Sequence, residues 1–300
     1  MSLSQSPPSG PLLNAVVYCE GCFGSLDGKT ANGLVRHSEK YKILAVVDST
    51  LAGKDCSEVI EGIKPGIPIC SNLADAKSKI DTRIDNYIFG KAPADGFMSP
   101  SDRKLVLEAI AFGMNIVSGM HEFLSDDPEF AIASRKYQVD LVDVRKPRPR
   151  KELQIFSGNI AKVTCPRIAI LGTDCAIGKR TTARILTEAL QRYGLKAIMI
   201  STGQTGLIQG AKYGVALDSV PSQFCAGELE SVIVNCYKKE NPDIIIVEGQ
   251  GSLGHPAFPL QASYCVEVVR TELFCNMLQL VPIAVTLPQC RCQNYLMKKC

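Results

Sequence analysis

The sequence predicts an α/β fold with parallel sheets, and three observations support this. Short apolar segments such as NAVVYC, RIAILG and DIIIVEG recur along the chain and are separated by helix-like stretches. These segments are apolar without a polar alternation, which is typical of parallel strands that helices cover on both faces. Several of them end in a glycine-rich turn, and such turns lie at the carboxyl ends of strands in doubly wound sheets.

The alternation of strands and helices occurs twice, and a basic, proline-rich segment separates the two halves. Five of the first seven residues of RKPRPRKE, residues 145–152, are basic and the other two are prolines. Proline disfavours helix and sheet interiors, so this segment is predicted to be a solvated linker. The sequence therefore predicts two doubly wound domains, at residues 14–146 and 153–300, and 300 residues allow each domain its own core.

The first half is predicted to form a Rossmann-like sheet that shapes a substrate cleft without binding a dinucleotide. The turn after NAVVYC has glycines at 21, 24 and 28, which do not make the G-x-G-x-x-G pattern. Asp48 ends the next strand, where an acid that binds ribose can lie. Lys29, in the glycine-rich turn, is a candidate contact for an anionic substrate.

The second half contains a loop that is predicted to bind phosphate. In ILGTDCAIGKRTTARIL, residues 170–186, five residues separate the two glycines where the common P-loop has four. A helix is predicted from about Arg180 to Tyr193. Unpaired backbone N–H groups and the helix dipole favour an anion at such a helix start, and Lys179 adds a full positive charge. The predicted phosphate-binding residues are Gly172, Thr173, Asp174, Gly178, Lys179, Arg180, Thr181 and Thr182.

An acid at the end of a later strand is a candidate metal ligand. Glu248 follows four apolar residues and precedes Gly249. A carboxylate at the end of a parallel strand beside a phosphate loop can hold Mg²⁺ directly or through water. Arg180 stands where the common loop has Ser or Thr, so a hydroxyl ligand would come from Thr181 or Thr182. We therefore expect a P-loop NTPase-like domain, with Mg²⁺ as a candidate cofactor at Glu248 and Thr181.

Composition and charge weigh against several classes of function. The formal net charge is only +3, which does not favour nucleic-acid binding, and no apolar run reaches the roughly 18 residues of a membrane helix. The N-terminus, MSLSQSPPSGP, lacks the basic and then apolar pattern of a signal peptide. The thirteen cysteines are expected to be reduced thiols, so we predict a cytoplasmic protein. We expect a small-molecule substrate, no nucleic-acid or membrane partner, and a homo-oligomer.

The phosphate loop resembles that of dethiobiotin synthetase. GTDCAIGKRTT shares Gly-Thr-Asp and the five-residue spacing, and QTG and VEGQGS follow later strands as they do in that enzyme. The resemblance implies ATP as the ligand, with Lys179 on its phosphates and Glu248 on Mg²⁺. Ser201 and Thr202 occupy the stretch before QTG where that enzyme has a lysine, which argues against the same carboxylation chemistry.

A second resemblance covers more of the chain, from about Asn14 to Pro259. Four motifs in order are similar to the D-glutamate N-acetyltransferase family: EGCFGSLDGKTANGLVRHS, SGMHEFLSDDPE, GTDCAIGKRTTA and VEGQGSLGHPAF. That family joins an N-terminal Rossmann-like domain to a C-terminal P-loop domain. The resemblance implies acetyl transfer from acetyl-CoA to the amine of an acidic amino acid, with the loop holding phosphates of CoA or of a nucleotide.

Acetyl transfer to an amine needs a base, and the candidates are His121, its neighbour Glu122, Glu248 and His255. His121 and Glu248 follow predicted strands and His255 follows the Glu248 loop; such side chains can accept a proton near neutral pH. Gln204 and Thr205, in the QTG turn, are further candidate substrate contacts. Two other functions stay open at this point: an ATP- and Mg²⁺-dependent ligase of the dethiobiotin synthetase type, and a nucleotide-binding regulatory protein without turnover.

The last forty residues differ from the rest of the chain. Residues 261–300 contain five cysteines and no longer resemble the family, although they fall within the predicted second domain. One interpretation is a divergent final helix and strand. The other is that the second sheet is incomplete after about residue 260, which would expose an unpaired strand edge.

Overall fold

The computed structural model describes residues 11–93, 96–174 and 177–252 and the backbone of 273–276. The chain divides into two compact units, each built on a parallel sheet, so the predicted α/β fold is confirmed. The first unit extends to Lys146 and also includes Gln204–Gly210. The second contains Pro147–Gly203 and the described residues after Gly210. Within these ranges, no helix combines the length and apolarity needed to cross a membrane.

The first unit contains an all-parallel, doubly wound sheet. Its described strands are β1 (Leu13–Tyr18), β2 (Tyr41–Val47), β3 (Ile69–Cys70), β4 (Asn86–Phe89), β5 (Asn115–Ser118) and β6 (Leu141–Asp143). Its described helices before the unit boundary are α1 (Lys29–Arg36), α2 (Cys56–Val59), α3 (Leu73–Lys79), α4 (Pro100–Ala111) and α5 (Pro128–Tyr137). The strand order is β3-β2-β1-β4-β5-β6, so the winding reverses between β1 and β4.

Both faces of this sheet are buried, which explains why its strands read as continuous apolar runs. In β1, Val16 and Tyr18 face one hydrophobic core, whereas Ala15 and Val17 face another. Successive residues of a strand point to opposite faces, so a strand between two cores has no polar face. The absence of polar alternation in the sequence is therefore the direct signature of this packing.

Asp48, which follows β2, closes the glycine-rich loop after β1. Its carboxylate is fully buried and accepts hydrogen bonds from the backbone N–H groups of Gly21 and Phe23, both at 3.1 Å. It also accepts from the backbone N–H of Thr50 at 3.0 Å and from its hydroxyl at 2.6 Å. All four donors belong to the protein, so the Asp48 carboxylate holds two loops together. This is its role here, although Asp48 lies at a position where an acid can bind ribose.

We expect Asp48→Asn to loosen this loop. The amide keeps one acceptor oxygen but turns an N–H₂ group towards backbone donors, which should cost about 1–3 kcal/mol of stability. Hydrogen–deuterium exchange should become faster at Gly21 and Phe23, and thermal unfolding should begin at a lower temperature. Asp27→Asn is the matched control, because Asp27 is an exposed acid of the same loop. Equal exchange in the two variants would contradict the assignment.

The second unit contains a parallel sheet with its main helices on opposite faces. Its described strands are β7 (Arg167–Gly172), β8 (Ala197–Ser201), β9 (Tyr213–Gly214), β10 (Ile244–Glu248) and β11 (Leu273–Asn276). The remaining described helices of the chain are α6 (Lys179–Arg192), α7 (Gln204–Gln209) and α8 (Ser222–Glu240). The strand order is β11-β7-β10-β8-β9. Helix α6 packs on the face that includes Ile170, and α8 packs on the face that includes Leu171.

The divergent tail contributes a strand to this sheet. β11 pairs in parallel with β7, where Leu273 lies opposite Ala169 and Asn276 lies opposite Gly172. The edge of β7 is therefore paired along these residues. The other residues of the tail lie outside the described part of the chain.

Helix α7 belongs to the first unit although its sequence lies inside the second predicted domain. The Gln209 side-chain amide donates to the backbone carbonyls of Gly33 and His37 at the end of α1, both at 2.7 Å. The hydroxyl groups of Thr205 and Thr30 lie 3.2 Å apart. The chain thus passes between the units at residues 146–147, 203–204 and 210–211, an exchange that the spans 14–146 and 153–300 do not include.

Most residues of the basic segment between the halves are exposed, as predicted for a solvated linker, but the segment is fixed in part. Arg148 donates two hydrogen bonds, of 2.6 and 2.9 Å, to the buried carboxylate of Glu228 on α8. The same carboxylate accepts from the backbone N–H of Gln154 at 2.7 Å. Two residues further along α8, Glu230 accepts from the backbone N–H of Ser157 at 2.8 Å and of Ile160 at 2.9 Å. Composition alone did not reveal these two buried acceptors.

Candidate phosphate site

Two strand ends bring the predicted phosphate loop and the predicted acid to one edge of the second sheet. β7 ends at Gly172, and the neighbouring strand β10 ends at Glu248, which lies opposite Ile170. The strands are parallel, so their carboxyl ends lie at the same edge, where open α/β sheets bind ligands. The loops that follow these strands are therefore neighbours in the fold.

Close contacts favour glycine at both turns, most strongly at Gly249, where the neighbouring atom belongs to the backbone. A Cβ atom on Gly172 would overlap the side chain of Ile177, and one on Gly249 would overlap the carbonyl oxygen of Ile170. Gly178 has a φ of 96° and is the residue before α6, a left-handed conformation that other residues rarely adopt. These glycines keep the two loops close to the strand ends and start α6 at Lys179.

Lys179 is buried where the two loops meet. Its side chain is 8% exposed, and its Nζ donates to the carbonyl oxygen of Asp174 at 2.6 Å and to that of Gly251 at 2.9 Å. The ammonium group therefore connects the loop after β7 to the loop after β10. Since the first turn of a helix leaves backbone N–H groups without intrahelical partners, a full charge at this helix start completes an anion-binding arrangement.

Glu248 is a buried carboxylate beside these cations. It is 8% exposed, and its Oε2 accepts from the backbone N–H of Thr202 at 3.3 Å. Burial raises the pKa of the Glu248 carboxyl above its ordinary value, and the charges of Arg180 and Lys179 oppose that shift. The direction follows from the loss of hydration by the charged form. The group is thus closer to a neutral-pH proton acceptor than an exposed glutamate.

Three polar residues that the sequence reasoning did not single out hold this edge together. The hydroxyl of Thr202 donates to the carbonyl oxygen of Glu248 at 2.7 Å, and the side-chain amide of Gln250 donates to the carbonyl oxygen of Thr202 at 2.9 Å. Ser252 donates from its hydroxyl to the carbonyl oxygen of Thr173 at 2.6 Å. Gln250 and Ser252 lie in a motif quoted for the resemblances and Thr202 lies just before the QTG turn, yet only their contacts reveal a positioning role.

The usual Mg²⁺ site of a phosphate loop does not fit the residue types present. Arg180 takes the place of the hydroxyl residue and is half-buried in the first turn of α6. Thr181 is exposed on that turn, and the backbone N–H of Thr182 donates to the Gly178 carbonyl at 2.9 Å. Across the described ranges, no three His, Cys, Asp or Glu side chains come together as ligands. A metal at Glu248 and Thr181 stays a prediction.

The other candidate residues lie in the first unit or outside the described residues. Lys29 is exposed in the first turn of α1, and His121 is exposed shortly after β5. Gln204 and Thr205 are buried in α7, where Gln204 lies close to Gly119 of the same unit. His255 lies outside the described part of the chain. The structure therefore brings the described loop residues and Glu248 together in the second unit, and the remaining described candidates lie in the first unit.

The second unit is a P-loop domain, because it has a strand, a glycine-bounded loop and a helix that begins with lysine. The first unit has the strand order of a Rossmann-like sheet. Family comparisons agree with this class. "Domain of unknown function (DUF1611_N) Rossmann-like domain" matches residues 49–147, and "Domain of unknown function (DUF1611_C) P-loop domain" matches residues 154–265. The chain belongs to the DUF1611 family.

A crystal structure of a DUF1611 family protein from Anabaena variabilis ATCC 29413 is similar to this chain. The two share 32% sequence identity with a TM-score of 0.78, over 88% of this chain and 74% of the other. Thus the two-domain architecture predicted from the motifs is confirmed.

Two curated relatives are named D-glutamate N-acetyltransferase. The protein from Pseudoalteromonas sp. is 34% identical over 197 residues, which is 65% of this chain and 55% of the relative. The protein from Tritonibacter scottomollicae is 32% identical over 171 residues, which is 57% of this chain and 49% of the relative. The chain therefore spans about half the length of the curated relatives it matches. The predicted resemblance to this family is confirmed.

Proposed function

We propose that this chain is an N-acetyltransferase that transfers an acetyl group from acetyl-CoA to the amine of an acidic amino acid. The observation that carries the proposal is the buried carboxylate of Glu248 on the same sheet edge as the phosphate loop that ends at Lys179. The loop that ends at Lys179 suits phosphate binding, and the carboxylate of Glu248 suits proton transfer. The names of the two D-glutamate N-acetyltransferases support this choice of reaction.

The phosphate loop fits a co-substrate that carries phosphate groups. Lys179 supplies a buried positive charge, and the start of α6 supplies backbone N–H donors. Acetyl-CoA, when bound, supplies the acetyl group as a thioester. The loop residues hold the phosphate end of this molecule and leave the chemistry to side chains at the edge of the sheet.

Glu248 is the proposed base. The amine of an amino acid is protonated at neutral pH, and it must lose that proton before its nitrogen can attack a carbonyl carbon. A carboxylate whose pKa is raised by burial accepts such a proton more readily than an ordinary one, and Thr202 orients this carboxylate through its backbone N–H. His121 and His255 stay alternative predictions for the same role.

D-Glutamate is the substrate to test first, because the two relatives carry its name. An acidic substrate needs cationic partners for its carboxylates. Lys29, an exposed cation of the first unit, is the candidate for this contact. Replacing glutamate by alanine as the acceptor should therefore lower the transfer rate.

The function is tested by incubating the chain with acetyl-CoA and D-glutamate, L-glutamate or D-alanine. The acetylated amino acid should be measured by mass spectrometry, because thirteen cysteines would react with a thiol reagent. The Pseudoalteromonas relative serves as the positive control. N-acetylglutamate above the no-protein background is the expected result. Hydrolysis of ATP without acetyl transfer would favour the ligase, and binding of ATP without turnover would favour the regulatory protein.

A further inference from the structure

We propose that Arg180 makes phosphate binding at this loop independent of a divalent cation. The ligand class that fits is then a pyrophosphate diester, as in coenzyme A, rather than a Mg²⁺-bound nucleoside triphosphate. The inference rests on the phosphate loop of the proposed function and deepens it. The residues present at this loop differ from those that form the Mg²⁺ site of most P-loops.

The position of Arg180 carries the first step. In the common phosphate loop the residue after the lysine bears a hydroxyl that ligates Mg²⁺. Here Arg180 directly follows Lys179 in the first turn of α6 and is half-buried. A guanidinium cannot ligate a cation, but it carries a permanent charge and several N–H donors that match phosphate oxygens. The residue that elsewhere recruits a metal is therefore itself a cation.

The surroundings of Arg180 carry the second step. Glu248, the acid at the end of β10, is buried, and an uncompensated buried carboxylate would repel phosphate. The positive charges of Arg180 and Lys179 oppose the rise that burial causes in the pKa of the Glu248 carboxyl group. Lys179 is held at the same place by its hydrogen bond to Gly251. Lys179 and Arg180, the first two residues of α6, thus offset part of the charge of this acid without a metal.

The chemical consequence concerns the choice of ligand. A nucleoside triphosphate concentrates charge on its terminal phosphates, and P-loop enzymes bridge these oxygens with Mg²⁺. A pyrophosphate diester carries fewer charges, and protein cations and backbone N–H groups can neutralise it. A loop with Lys179 and Arg180 in sequence suits the second case. Arg180 therefore favours a pyrophosphate diester over a Mg²⁺-bound nucleoside triphosphate.

Calorimetric titration of the full chain with acetyl-CoA and with ATP, in EDTA and in excess Mg²⁺, tests the inference. The affinity of wild-type protein for acetyl-CoA should agree within about twofold in the two buffers, because no metal takes part. Arg180→Ser should weaken binding in EDTA by roughly tenfold or more, and Mg²⁺ should restore part of the loss by using the new hydroxyl. Arg180→Lys, which keeps the charge, should stay independent of Mg²⁺.

Arg192→Ser is the matched control, because Arg192 is an exposed arginine in the last turn of the same helix. Wild-type binding that requires Mg²⁺ would overturn the inference and leave the phosphate loop intact. Unchanged affinity in a folded Arg180→Ser variant would overturn it as well. Failure of both ligands to bind wild-type protein in either buffer would overturn the phosphate loop, and with it both the proposed function and this inference.

Discussion

Lys179→Ala is expected to weaken binding of acetyl-CoA by about 10- to 100-fold. The change removes one buried, charge-assisted contact to phosphate, and such a contact contributes about 1.5–3 kcal/mol. It also removes the link between the loops after β7 and β10, because the Nζ of Lys179 bonds to the carbonyls of Asp174 and Gly251. Both losses act in the same direction. Calorimetric titration at constant salt concentration measures the effect.

Folding must be checked separately, because those two carbonyl groups lose a donor in the variant. A thermal unfolding curve of Lys179→Ala without ligand serves this purpose. Lys162→Ala is the matched control: Lys162 is an exposed lysine of the same unit, hydrogen-bonded to Asn159. Its affinity for acetyl-CoA should equal that of wild type. A folded Lys179→Ala variant with unchanged affinity would show that the loop does not bind phosphate.

The phosphate loop could be predicted because its information is local. A strand, two glycines, a lysine and a helix lie within seventeen consecutive residues, 170–186. The structure starts α6 at Lys179, one residue before the predicted start, and Gly178 adopts the left-handed conformation that glycine allows. The parallel sheets were equally accessible, because strands buried on both faces leave a continuous apolar run. The fold class and the position of the phosphate loop could therefore be predicted from the sequence.

The residues that shape the rest of the site depend on pairing between distant strands. Thr202 contacts Glu248 across 46 residues, and Ser252 contacts Thr173 across 79. These contacts require β10 to lie between β7 and β8, an order that hydrophobic patterns do not specify. Sequence reasoning placed each residue at a strand end but could not pair them.

Helix α7 illustrates a second limit. The QTG turn was expected to contact substrate because it follows a strand of the second half. The structure buries Thr205 against Thr30 and ties Gln209 to Gly33, a residue 176 positions earlier, and contact with substrate stays a prediction. A six-residue helix has too short a periodic pattern to indicate which sheet it covers. The sequence pattern therefore could not predict that residues 204–210 pack in the first unit.

Glu248→Gln is expected to lower the rate of acetyl transfer by about 10²–10⁴-fold, because an amide cannot accept the proton of the substrate amine. Binding of acetyl-CoA should change much less, since Lys179 and Arg180 remain. In wild type the rate should fall as the pH drops through the pKa of Glu248, which burial places above the ordinary range of a carboxyl group. The variant should lack this acidic limb in its pH–rate profile.

Stability should change in the opposite sense to activity. A carboxyl group whose folded-state pKa is raised binds its proton more tightly in the folded than in the unfolded protein. Its contribution to stability is therefore full below the unfolded-state pKa and is lost as the pH rises through the folded-state pKa. At neutral pH the charged form of Glu248 is a burden on the fold, so Glu248→Gln should unfold at the same or a higher temperature than wild type.

Glu240→Gln is the control, because the pKa of Glu240 is shifted in the opposite direction to that of Glu248. Hydrogen bonds from Lys212 and Tyr213 hold the pKa of Glu240 down, to about 2. Its contribution to stability is present above the unfolded-state pKa and is lost as the pH falls towards about 2, so this variant should be less stable at neutral pH and fully active. If Glu248→Gln kept the wild-type rate and pH–rate profile, Glu248 would not be the base. The candidates would then be His121 and His255, and substituting each in turn by Asn should show which one supplies the acidic limb.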